Sequence, residues 1–289
     1  MGDKLVGEGY DLLCKCFQII YDLLTATTLD YSRTNHGYAF MILRSFKAIG
    51  LAIVIILTYM SFIRQSSIII ERHPESVFKV LLRAVIVSFL VTNCTTYFGD
   101  TFVHGLGMLA KTVFNSAGFY GNNFADHLSN INLTVATEVT EEEGTWALLS
   151  AAIEKLNDLV VFVFKIIYVV TMVTTGFHMI ITVFTRFMKI YLYTCTMPIG
   201  ISFFADPQFS QYGKNYARTY ISACLEGVTI AIAIVLFCGM VGSNMIPKVL
   251  GDLGSNEIFK YFVYISLLKV MSQTVTQAEN FTNKLFGLS

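Results

Sequence analysis

Three side chains able to carry charge stand where the sequence is otherwise apolar. Lys165, His178 and Glu226 each interrupt a run of aliphatic and aromatic residues. A charge in such a run is costly and faces a bundle interior or a water-filled path. Several chemistries are open to them. Lys165 can snorkel while Glu226 makes one structural hydrogen bond between helices. Alternatively, Glu226 and Lys165 pair or line a hydrated lumen, or the three relay protons. Arg218 and Glu226, eight residues apart, are expected on one helix face. Gly227 beside Glu226 offers close helix packing. Asp100 and His104, at i and i+4, have the types of an acid–base pair, although a solvated or capping role is the simpler reading.

No further residue pattern points to catalysis. The sequence contains no HExxH, GxSxG, GxxxxGK[ST] or GxGxxG. Its five histidines are scattered without metal-ligand spacing, and its six cysteines suit buried thiols better than a disulfide framework. No catalytic, cofactor-binding or metal-ligating residue is expected, and no nucleotide.

The elements that must position these charges are membrane helices. The chain has 289 residues, 54% hydrophobic and only 14% charged, where a soluble domain is nearer a quarter charged. Lys plus Arg equals Asp plus Glu at 20 each, so no global basic field draws nucleic acid. The fold class expected is all-α: a polytopic helical membrane protein of about six transmembrane helices, with amphipathic helices at the N-terminus and in one loop. The first residues, with early acidic groups and no unbroken apolar run, do not read as a signal peptide.

Four segments follow. Residues 1–36 hold an amphipathic helix over 5–24 and a linker. Lying in the membrane interface is the favoured reading of that helix, and packing on a partner helix is its rival. Residues 37–98 hold two spans, about Gly37–Ile63 and Val77–Phe98. Residues 99–157 form a long acidic, partly helical loop, with helical spacing over Phe102, Leu106, Leu109 and Val113. Residues 158–289 hold four more spans, about Leu159–Val183, Phe187–Ala205, Thr219–Met240 and Ile258–Met271, each set against the ~20 residues a crossing needs. A polar step, "TRFMK", separates the first two of these. Trp146, Arg186 and Lys189 are expected as interfacial anchors. Arg64, Arg72, Arg186, Lys189 and Lys248 put one side in the cytoplasm, with the long loop facing outward. Arg33, Lys214 and Arg218 fall on the opposite side and weaken that count.

The stretch "TMPIGISFFADPQ" carries Pro198 and Pro207, two of the chain's four prolines. Pro198 removes a backbone donor from its span and is expected to kink it, with Thr194, Thr196 and Ser202 satisfying the freed groups. Gly200 lets a neighbour approach closely, and Asp206-Pro207 starts the turn to the next helix.

Residues 186–236 then show a basic anchor, a span broken by Pro-x-Gly, Phe-Phe-Ala-Asp-Pro, a polar aromatic turn, and an apolar helix with one early acid. This order resembles the core of the TrbL family, polytopic inner-membrane subunits of conjugative type IV secretion systems. Met197, Pro198, Ile199, Gly200, Ile201, Phe203 and Phe204 match its first part. Tyr216, Tyr220, Ile221, Ala223 and Glu226 match its second, with Glu226 where members often carry glutamine. The resemblance covers about 160–245. The chain lacks the long polar tail of many relatives, which removes the expectation of tail-mediated contacts.

The resemblance implies a channel or scaffold subunit at the inner-membrane base of the secretion system. It implies a homo-oligomeric, pentameric ring that helps translocate single-stranded DNA with its relaxase or supports pilus or stalk assembly. Its implied partners are membrane lipids, the pilin or stalk protein, secretion ATPases and the transient DNA–relaxase substrate. The alternative is a small-solute or ion transporter using Lys165, His178 and Glu226.

Overall fold

The computed structural model describes residues 2–25, 38–69, 74–94, 103–118, 147–242 and 257–288. Among them every regular element is helical: α1 Gly2–Thr25, α2 Tyr38–Ile69, α3 Pro74–Cys94, α4 Val103–Ser116, α5 Ala147–Ser202, α6 Ser210–Gly242 and α7 Glu257–Leu285. A 3-10 turn, Phe203–Ala205, closes α5. The chain is an all-α helical membrane protein.

Four of these helices are long and apolar enough to cross a membrane: Arg44–Arg64, Val77–Cys94, Leu159–Ala205 and Ser210–Gly239. The number differs from six for two physical reasons. The expected third and fourth spans are one uninterrupted helix, because "TRFMK" is a pair of cations on a helical face and holds no breaker. The last expected span lies in α7, whose apolar run is diluted by Lys260, Lys269, Glu279 and Lys284, and α7 is not among the four. In α2 and α3 only 22% of each apolar window is buried, at mean hydropathies of 2.1 and 1.9. Helices greasy all round yet poorly covered by protein are built to face lipid.

The chain divides into two units. The first comprises 1–23, 112–183 and 230–277. Here α1 runs alongside α5. A side chain at Gly9 would lie 3.0 Å from Val169, and one at Gly176 would lie 2.9 Å from Cys16. Both contacts keep one register seven residues apart, so the two helices run parallel. Val6, Leu13, Phe17 and Ile20 are buried on that side, and the Tyr21 ring meets Phe114 of α4 edge-on at 5.1 Å. Much of the apolar face of α1 is thus covered by neighbouring helices, while Leu5, Leu12 and Ile19 stay exposed. Burial pushes the Cys14 and Cys16 thiols up, as suits packing groups. The helix α7 lies on α5 through Tyr261 and Tyr264, whose rings stand 5.6 and 6.3 Å from that of Tyr168.

The second unit comprises 24–111, 184–229 and 278–289. The helices α2 and α3 pack on each other, and both touch the 3-10 turn. Its core joins Val54 and Leu57 of α2, Val87 and Val91 of α3, and Leu106 of α4 to Met197, Ile201, Tyr220 and Cys224. This unit carries the polar groups described next. Trp146 and Asp100 lie outside the described residues, as does the acidic stretch 137–146.

Candidate functional site

Two ionic clusters stand at the ends of the second unit's apolar core. The first joins three helices. Arg186 and Lys189 are one helical turn apart on α5, Glu226 is on α6 and Glu279 is near the end of α7. Arg186 is 7% exposed and Glu226 is 3% exposed, depths at which a charge needs partners. The Arg186 Nη2 donates to the Cys224 carbonyl at 3.1 Å. Its guanidinium lies flat on Gly227, where a Cβ would stand 2.1 Å from Cζ. The same group sits 5.8 Å from the Phe187 ring centroid. Its Nε has no hydrogen-bond partner among the described residues. Lys189 forms an ion pair with Glu279. Glu226 feels Lys189, Glu279 and Arg186 as its charged neighbours. Two cations stand near two carboxylates, so the formal charges balance, with Lys189 and Glu279 paired at the partly exposed edge.

Polar pairs extend this joint along α6 and α7. Ser222 Oγ donates to Asn283 Oδ1 at 2.7 Å, and the Thr229 and Thr282 hydroxyls meet at 3.3 Å. Such bonds hold helices together where the hydrophobic effect gives little preference between protein and lipid.

The second cluster locks the α5–α6 turn. Asp206 is 1% exposed, and its Oδ2 accepts from Arg64 Nη2 at 2.5 Å. Its Oδ1 accepts from the Gln208 backbone N–H at 3.0 Å, an Asx turn ahead of α6. Arg64, at the end of α2, also donates to Gln208 and stacks 6.0 Å from the Phe209 ring centroid. Arg186 and Glu226 each stand twenty residues from Asp206 along the chain. At 1.5 Å per residue that separates the two clusters by about 30 Å, the thickness of a bilayer's hydrocarbon core.

Between the clusters lies the Pro-x-Gly segment. Pro198 is buried inside α5 against α2: a Cβ at Gly50 would fall 2.7 Å from the Pro198 carbonyl oxygen. Gly200 stands under the Tyr216 ring, which a Cβ there would meet at 2.3 Å. The local hydroxyls bond upstream carbonyls: Thr194 to Ile190 at 2.8 Å, Thr196 to Leu192 at 2.9 Å and Ser202 to Ile199 at 2.6 Å. None of these reaches the Thr194 carbonyl that Pro198 frees, contrary to expectation, and a neighbouring carbonyl gains a donor from another helix. The Tyr216 hydroxyl donates to the Tyr193 carbonyl and lies 2.9 Å from Thr196 Oγ1. Pro207 is exposed in the turn.

The remaining sequence candidates stand elsewhere. Lys165 and His178 belong to the first unit, where the His178 Nδ1 shares a 3.1 Å hydrogen bond with Ser272 Oγ. Arg218 is exposed while Glu226 is buried, because eight helical residues overshoot two full turns by about 80°. Arg186, expected as an interfacial anchor, is buried beneath α6, and Lys189 is half-buried beside Glu279. His104 is exposed on α4.

Sequence reasoning did not bring together Arg64 and Asp206, or Arg186, Glu226 and Glu279. One signal for the second group was present. In an antiparallel helix pair, residues equidistant from the turn face each other, and an arginine and a glutamate both stand twenty residues from Asp206. Nothing local announced Arg64.

Among the described residues no group of three or more His, Cys, Asp or Glu side chains could hold a metal. The arrangement binds helices to one another and leaves an apolar middle. In the family comparison, residues 51–277 match the model described as TrbL/VirB6 plasmid conjugal transfer protein. No curated protein and no solved structure matches the chain.

Proposed function

We propose that this chain, which belongs to the TrbL/VirB6 plasmid conjugal transfer family, is the channel or scaffold subunit at the inner-membrane base of its secretion machine. Membership makes it a conjugal transfer subunit. The finer role rests on the observation that the second unit ties its helices by a neutral ionic joint at each end of an apolar core. Two polar belts about 30 Å apart suit a wall fixed across a bilayer. A wall of this kind does no chemistry of its own, so motive energy comes from separate secretion ATPases. Copies assemble into a ring, taken as pentameric, around which the stalk or pilin is built and the DNA–relaxase substrate passes.

The continuous α5 also supports a definite orientation. With one helix in place of two, Lys214 and Arg218 at the start of α6 fall on the same side as Arg64 and Arg72. Arg186 and Lys189 leave the count, since they lie within α5 and not in a loop. Lys214 and Arg218 thus join the favoured side, while Arg33 stays opposite and Lys248 moves there; the 64–73 and 206–218 connections then read as cytoplasmic and the long loop as outside. No observation favours the transporter reading. The charged neighbours of Glu226 are Lys189, Glu279 and Arg186, and His178 bonds Ser272.

Purification of the tagged full chain from donor membranes, followed by imaging and mass measurement, tests this reading. A closed ring that retains other transfer subunits is expected. A monomer with none of them would overturn it.

A further inference from the structure

A cleft of about 90 Å³ opens between the Pro-x-Gly end of α5 and the start of α6. Met197, Gly200, Ile201 and Phe204 form one wall; Gly213, Tyr216, Ala217, Tyr220 and Ile221 complete the lining. No polar atom faces it. Its two tyrosines contribute ring faces only, because the Tyr216 hydroxyl is bonded to Tyr193 and the Tyr220 hydroxyl to Thr194. An apolar cleft of this kind stays dry and takes hydrocarbon.

Two cations flank it. Lys214 and Arg218 are exposed at i and i+4 on α6, next to the lining residues Gly213, Ala217 and Ile221. Neither has an ion-pair partner among the described residues, and the nearby carboxylate of Asp206 is already held by Arg64. Both lie within the first three turns of the apolar stretch Ser210–Gly239, at the end of the helix where long basic side chains reach headgroups.

We infer that this cleft is a binding site for an anionic glycerophospholipid, with a few methylenes of one acyl chain between α5 and α6 and the phosphate held by Lys214 and Arg218. Charge complementarity selects the occupant. A protein side chain would fill the apolar part and leave two adjacent cations unanswered. A zwitterionic lipid would bring its own cation to them. Such a lipid seals the gap that Gly200 and Gly213 leave beside the α5–α6 turn.

The test uses the full chain reconstituted with a phosphatidylglycerol that carries a photoreactive group on its acyl chain, with a matched phosphatidylcholine as comparison. Cross-links should map to Met197, Ile201 or Tyr220 and exceed those from phosphatidylcholine by about tenfold or more, as two surface cations near anionic lipid allow. Combined Lys214→Gln and Arg218→Gln, both at exposed positions, should erase that preference. Ala217→Phe should block labelling of the cleft by either lipid. Equal labelling by the two lipids in the wild-type chain would overturn the proposal. So would labels outside the cleft, or a peptide from a second copy seated in it.

Discussion

Gly227 shows how one residue sets an electrostatic joint. Arg186 lies flat on it because no side chain intervenes, and this brings the guanidinium to the Cys224 carbonyl and beside Glu226. Gly227→Ala should push Arg186 aside and cost about 1–3 kcal/mol, the usual scale of overpacking. A lower unfolding midpoint in detergent would register it. Glu226→Gln acts through charge. It removes the carboxylate whose field Arg186 and Lys189 feel, leaves them facing Glu279 alone, and should cost about 1–3 kcal/mol, the usual scale of a buried single substitution. Arg186→Met combined with Glu226→Leu should recover much of that loss, since removing both charges also removes their desolvation penalty. A double variant as unstable as the sum of the singles would show that the two charges do not act together.

Helices as elements were legible in the sequence, and their interruptions were less so. Apolar length identified α2, α3 and the apolar parts of α5 and α6, and spacing over 102–113 identified α4. The break at "TRFMK" was misread because a pair of cations resembles a polar loop until their partners on α6 and α7 are known. The face of α1 was visible, but what covers it was not: Val169 and Gly176 lie far along the chain. Pro198 was legible as a missing donor, whereas the Tyr216 hydroxyl's bond to the neighbouring Tyr193 carbonyl depends on the antiparallel pairing of α5 with α6. Restoring the donor with Pro198→Ala should draw the Thr194 carbonyl back into the helix and shift Tyr193 away from Tyr216. Tyr216→Phe, which leaves the Tyr193 carbonyl without that donor, should cost about 1–3 kcal/mol. Thermal unfolding of both variants checks the pair, and unchanged midpoints would make the segment's polar bonding incidental.

For the whole molecule, the proposed placement sets the two ionic clusters towards the two faces of the membrane, with the 64–73 and 206–218 connections cytoplasmic. The ends of the second unit's core are marked by paired charges, and α2 and α3 beside it leave most of their apolar surface uncovered. The orientation that follows is open to direct labelling. Gln208→Cys, in the α5–α6 turn, should stay unlabelled by an impermeant maleimide in intact cells with a permeabilised outer membrane. Asn132→Cys, in the acidic loop, should react. The reverse pattern would invert the placement.

The most direct measurement is plasmid transfer frequency from a donor whose chromosomal or plasmid copy of this gene is deleted. Transfer should fall to background on deletion and return with the wild-type chain. Arg186→Ala, matched for amount in the membrane, should fail to restore it. Transfer unchanged by the deletion would contradict the account.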